Sequence, residues 1–225
     1  MHTIVRKSLI FPKSLDFKAG SPAISPGAYQ PIVFVSLGAW GQETPPGNAV
    51  HLPAVVDTGY GGVFCLRWEH LLGWVGWPEA VAEGLVIGTV VTGQAPKVKL
   101  RFQPRGIMAR VNGNLFLWNR RDNPQTGAPE PEPGSFQRLD LDQGIDILLP
   151  PTIALQFAGG DAKTIASIEK FMFVPDPRPG CPLLGGRALR EHHLRLTTTG
   201  HWFSIHRHPA LCHWLDRSRG LAKLP

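Results

Sequence analysis

A β-dominated fold is what this sequence predicts, and three observations carry the prediction. The 25 glycines and 22 prolines are spread along all 225 residues, so turns recur throughout. Most apolar runs are short and rich in β-branched residues, which is the length and composition of strands. Hydrophobic residues make up 43% of the chain, enough to build the core of one large domain. The expected architecture is all-β, with short helices, an internal insertion and a C-terminal helix.

Taken in order, residues 1–28 read as an N-terminal extension, either an added strand or a removable pro-segment. Strands are expected at Ile32 to Leu37, Ala54 to Val56, Val63 to Leu66, Leu85 to Val91, Val98 to Phe102, Ile107 to Val111 and Leu115 to Trp118. Arg67 to Leu72 spans one or two helical turns. Arg120 to Gly134 alternates Pro with Glu, has almost nothing to bury, and is the clearest loop. It lies in a wider interval, about Asn119 to Ala166, to which Ile145 to Leu149 and Ile153 to Phe157 lend some structure. Further strands are expected at Ile168 to Val174, Leu194 to Thr198 and Trp202 to His206, with a short helix over Arg187 to His192. Pro209 to Arg217 reads as a helix, with Pro at its first position and Gly220 beyond its end. The principal domain then runs 29–208, and 209–225 form a C-terminal helix and tail.

Charge and cysteines narrow the function classes. A formal charge of +6 would suit a polyanion, but the cations are poorly clustered. Lys97, Lys99, Arg101 and Arg105 alternate along one strand and turn, with Val98, Leu100 and Phe102 opposite, as on a solvated sheet face. No nucleic-acid partner is expected. Cys65, Cys181 and Cys212 lack CxxC spacing, which argues against a disulfide framework and a four-cysteine zinc site. They read as buried small hydrophobes in a reducing compartment. The histidines at 201, 206, 208 and 213, with Cys212, match no common zinc spacing, so neither a metal nor a cofactor is expected. The N-terminal apolar run is too short for a signal peptide, and no segment approaches the ~20 apolar residues of a membrane helix. A cytoplasmic protein without a membrane partner is the expectation.

Chemistry is suggested first at Asp57-Thr58-Gly59. The apolar run Leu52-Pro53-Ala54-Val55-Val56 leads into an acid on a sharp turn that Gly59 permits and Thr58 can brace. Alone, that is also an ordinary strand-ending turn. A second element follows at Leu183-Leu184-Gly185, with Leu189 on the buried side of a short helix.

On these two elements, in this order, the chain resembles the retropepsin-like aspartic proteases. In that family an apolar strand carries Asp-Thr-Gly, and a later apolar-apolar-Gly strand runs behind it. Tyr60-Gly61-Gly62 after the tripeptide is similar to the bacterial and archaeal single-lobe branch, with an aromatic and then small residues. The resemblance implies a closed acid-protease barrel and an aspartic endopeptidase acting on an extended polypeptide. It also implies that about Asn119 to Ala166 is an insertion into that barrel, a linker between two domains being the rival reading. Asp57, Thr58 and Gly59 would be catalytic, and Tyr60, Thr92, Gly93, Leu183 and Leu184 would contact substrate. The family's flap hairpin is assigned to Leu85 to Val98 with its tip near Gly93, the rival being the hairpin that turns at Gln103-Pro104-Arg105-Gly106.

Peptide hydrolysis by activated water needs one group to accept a proton and another to donate one. Aspartic proteases, the standard example of two carboxylates sharing a proton, solve this with a pair about 3 Å apart. This chain has one Asp-Thr-Gly. Asp140, Asp142, Asp146, Asp161, Asp176 and Asp216 lack its context, so the second carboxylate is expected from Asp57 of another copy in a C2 homodimer. The alternative is a non-catalytic module of the same fold that dimerises or binds peptide. Trp68, Trp74 and Trp77 form either a hydrophobic lid or apolar pockets of the cleft.

Overall fold

The computed structural model describes residues 2–11, 13–39, 41–78, 81–82, 100–139, 144–188, 192–197 and 202–207. Its strands are β1 (His2–Leu9), β2 (Ile32–Gly38), β3 (Leu52–Asp57), β4 (Phe64–Arg67), β5 (Arg101–Gln103), β6 (Gly106–Val111), β7 (Asn114–Asp122), β8 (Pro129–Leu139), β9 (Ile145–Leu149), β10 (Leu183–Gly185), β11 (His192–Thr197) and β12 (Trp202–Arg207). The helices with described bounds are short: α1 (Trp68–Gly73), α2 (Pro151–Phe157) and α3 (Ala162–Met172). The chain is sheet-dominated, as its composition predicts.

Among the described residues nine strands form one mixed sheet in the order β5-β6-β9-β4-β10-β3-β2-β7-β8. Its neighbours are antiparallel except β10 with β3 and β9 with β4. The order brings together strands distant in sequence. β10 lies between β3 and β4, the two strands that flank the Asp57 turn. A separate antiparallel sheet, β1-β12-β11, joins the N-terminal extension to the last described strands.

Burial on both faces explains the continuous apolar runs. Every residue of β2 and of β9 is buried, as expected of interior strands. Alternate side chains of β3 enter different clusters. Ala54 and Val56 join the main core with Val33, Val35, Leu66, Leu117 and Ile147, whereas Val55 joins Tyr60, Cys65, Met108, Leu148 and Leu183 on the other face. That second cluster is the floor under the Asp57 turn.

Several expectations are corrected. Ile168 to Val174, expected as a strand, falls largely in α3, whose Asp161 side chain accepts from the Lys163 and Thr164 amides as an N-cap. Ile153 to Phe157 is helical too, with Pro151 at the start of α2, where its missing N–H costs nothing. The expected loop over Arg120 to Gly134 is reduced to a turn at 123–128, because β7 runs on to Asp122 and β8 begins at Pro129. Pro129, Pro131 and Pro133 recur with the strand period on an edge strand, so their missing N–H groups share one side and break no interior ladder. Ile145–Leu149 is the strand β9, paired on both sides inside the sheet.

Other expectations fall on residues outside those described: the strand at Leu85 to Val91, most of the short helix from Arg187 onward, and the C-terminal helix. Among the described residues, no helix is long and apolar enough to cross a membrane.

Candidate active site

Asp57 is the last residue of β3, where the ladder stops and the chain turns. The Gly59 amide donates to its Oδ1 at 2.9 Å and the Tyr60 amide donates to its carbonyl at 3.0 Å, so the carboxylate organises its own turn. Thr58 and Gly59 are exposed beside it. The turn is held from behind by β10. The Gly185 amide donates to the Val63 carbonyl at 2.8 Å and the Gly186 amide to the Tyr60 carbonyl at 3.1 Å. A Cβ at Gly185 would overlap the Gly62 carbonyl oxygen and sit 2.7 Å from that of Tyr60. No side chain fits there.

The segment leading into β10 is anchored as well. Arg67 Nε donates to the Pro179 carbonyl at 2.9 Å, and Arg178, with its side chain 10% exposed, bonds both Asp176 and Glu69. Burial would raise the Asp176 carboxyl, but the Arg178 guanidinium holds it below the ordinary carboxylate range.

Tyr60 was expected to meet substrate. The structure buries it to 5% exposure and directs its hydroxyl to Asp146 Oδ2, donating at 2.6 Å. Burial, the neighbouring Cys65 and the Asp146 carboxylate all raise its pKa, so the phenol stays neutral. Burial likewise pushes the Cys65 thiol up to about 12, as befits an inert packing residue. Leu183 and Leu184, also expected to touch substrate, are core residues of β10 at 6% and 0% exposure. They support the turn rather than line the cleft. Thr92, Gly93 and the preferred flap lie outside the described residues.

The rival hairpin lies at the site. Between β5 and β6 the chain turns at Pro104 and Arg105, and Arg105 Nη2 donates to Asp57 Oδ2 at 3.1 Å. The same guanidinium stands over the Tyr60 ring, 5.4 Å from its centroid. Arg101, expected with Arg105 on a solvated face, instead pairs with Asp146. Arg110 joins it, its Nε donating to Asp146 Oδ1 at 2.9 Å and its Nη2 to Oδ2 at 3.3 Å. The cause is Asp146 itself, a carboxylate with 4% of its side chain exposed that needs these donors.

This network of Asp146, Tyr60, Arg101 and Arg110 is what sequence reading missed. The available signal was a lone acid inside the otherwise apolar Ile145–Leu149. Asp146 is nearly inaccessible and accepts from two arginines and a tyrosine at once, so it serves to hold these side chains together. Trp68 and Trp74 are core residues, the indole of Trp74 donating to the Pro22 carbonyl at 2.6 Å, and none of the three tryptophans lines the cleft. Among the described residues no cluster of three or more His, Cys, Asp or Glu is placed to hold a metal. Of the histidines weighed as ligands, 201, 208 and 213 lie outside the described residues, as does Cys212.

No family model, curated protein or solved structure matches this chain. Its site must be read from its own geometry. One half-buried carboxylate on a glycine-braced turn can polarise water, but a paired acid is needed for proton donation.

Proposed function

We propose that the chain is a retropepsin-like aspartic endopeptidase that works as a C2 homodimer, each copy contributing Asp57. The observation that carries this reading is the threading of Leu183-Leu184-Gly185 between the two strands that flank Asp57-Thr58-Gly59, with Gly185 bonded to the turn. That is the relation between the two motifs which the family resemblance implies, and the Arg105 contact to Asp57 supports the β5–β6 hairpin as the rival flap.

In the dimer, one Asp57 is ionised and its partner's Asp57 is protonated. The ionised carboxylate takes a proton from a water held between them while the other donates to the peptide carbonyl oxygen. The water oxygen bonds to the carbonyl carbon, giving a tetrahedral diol. The newly protonated carboxylate then gives its proton to the amide nitrogen while the other takes one from a diol hydroxyl, and the C–N bond breaks to leave an acid and an amine. Thr58 braces the two turns against each other, and Gly59 admits an extended backbone.

Arg105 favours a second reading, a peptide-binding or dimerisation module without catalysis, because an oxygen held by a guanidinium is not free to share a proton. The two readings separate on Asp57→Asn. For the endopeptidase, the variant folds and dimerises but loses cleavage of a peptide library by at least ~1,000-fold. Cleavage that persists removes Asp57 from catalysis. A wild-type chain that binds peptides without cutting any, across pH 3 to 8, is the non-catalytic module.

A further inference from the structure

The cleft beside Asp57 has an excess of positive charge held in fixed positions. Its volume is about 430 Å³, and its lining includes Gly59, Gly61, Arg101, Arg105, Arg110 and Asp146. Arg187 lines it too, and of the four arginines Arg101, Arg105 and Arg110 pair with two carboxylates, Asp146 and the adjoining Asp57. A guanidinium carries five N–H donors. Arg101 uses Nη2 on Asp146, Arg110 uses Nε and Nη2 on it, and Arg105 uses Nη2 on Asp57. Among the described residues other donors on all three remain, while each carboxylate oxygen in the cleft already accepts a bond.

These side chains are also pre-organised. Buried Asp146 holds two of them, and the Tyr60 ring backs the third. A planar fork of fixed donors recognises a carboxylate in particular, since both oxygens can be met at once. The cleft is continuous with the exposed Gly59 and Gly61 of the catalytic turn, where an extended backbone can approach closely.

We propose that this cleft is the subsite for an acidic side chain of the peptide substrate, and that the incoming carboxylate draws Arg105 away from Asp57. The proposal rests on the endopeptidase reading and adds a substrate class to it. It also gives Arg105 two states. Without an acidic group in the cleft it occupies Asp57 Oδ2; with one bound, Oδ2 is released to share a proton across the dimer.

The test uses three matched apolar peptides: one with an internal Glu and an amidated C-terminus, its amidated Gln counterpart, and the Gln peptide with a free C-terminal carboxylate. Binding to the full chain is read by fluorescence anisotropy and cleavage by mass spectrometry. The Glu peptide is expected to bind about tenfold more tightly than amidated Gln. The difference should shrink in high salt and in Arg105→Gln. Because the peptides differ in one group, the comparison on the wild-type chain stands even if the variant misfolds. Equal binding of all three overturns the subsite, and preference for the free C-terminus alone overturns the side-chain assignment. Cleavage of Glu and Gln peptides at equal rates removes the subsite and leaves the peptidase standing. Acidic preference in binding with no cleavage does the reverse.

Discussion

Two buried polar residues near the site sit under opposite constraints. Asp146 sits inside an apolar strand with Arg101, Arg110 and Tyr60 all donating to it. His70, fully buried on α1, must stay neutral. Its Nδ1 accepts from the Arg67 amide at 3.4 Å, and its Nε2 is buried without a partner among the described residues. Burial first, and the Arg67 charge next, lower its pKa from 6.5 to about 4. In the unfolded chain His70 gains a proton as pH falls through 6.5, while the folded chain resists until about pH 4. The stability it contributes is therefore complete above pH 6.5 and declines across that window, by roughly 3 kcal/mol. Urea unfolding followed between pH 7.5 and 4.5 should show the loss, and His70→Gln should flatten it. An unchanged slope in the variant contradicts the assignment. Half-buried His51 is lowered in the same direction and contributes equally to both chains.

The elements of the site depend on one narrow strand. β10 has three residues, yet it joins β3 to β4 and supports the Asp57 turn through Gly185. Gly185→Ala pushes a methyl group into the Gly62 and Tyr60 carbonyls, so a loss of about 1–3 kcal/mol is expected in thermal or denaturant unfolding. Gly180→Ala, with open space around the new methyl, serves as the control and should change little. Equal behaviour of the two variants would mean that the turn does not depend on this close approach.

What the sequence made legible follows from how local each signal is. The apolar strand before Asp57 and the Leu183-Leu184-Gly185 run were readable because their patterns are continuous. The α3 helix was misread as a strand at its C-terminal end, although Asp161 and the spacing of Ile165, Ile168 and Phe171 carried a cap and a helical face. Proline obscured β8, since its edge position makes proline tolerable and only the sheet order reveals that position. Arg105 and Asp146 could not be placed, because nothing local says that residues 57, 105 and 146 meet. The mixed sheet order brings them together.

At the scale of the whole molecule, a single Asp57 turns the proposed activity into a statement about symmetry. In the proposed enzyme one copy presents the half-buried Asp57 carboxylate, paired to its own Arg105, and a second copy supplies the matching acid. Catalysis and assembly then cannot be separated. Wild-type chain mixed with Asp57→Asn and allowed to exchange subunits forms active dimers only when both copies are wild type. The most direct measurement is peptide cleavage as a function of the wild-type fraction at constant total protein. Activity should fall as the square of that fraction, to roughly a quarter in an equal mixture. A linear fall, to about half, would mean that each chain cuts with its own Asp57 alone and would contradict the shared site.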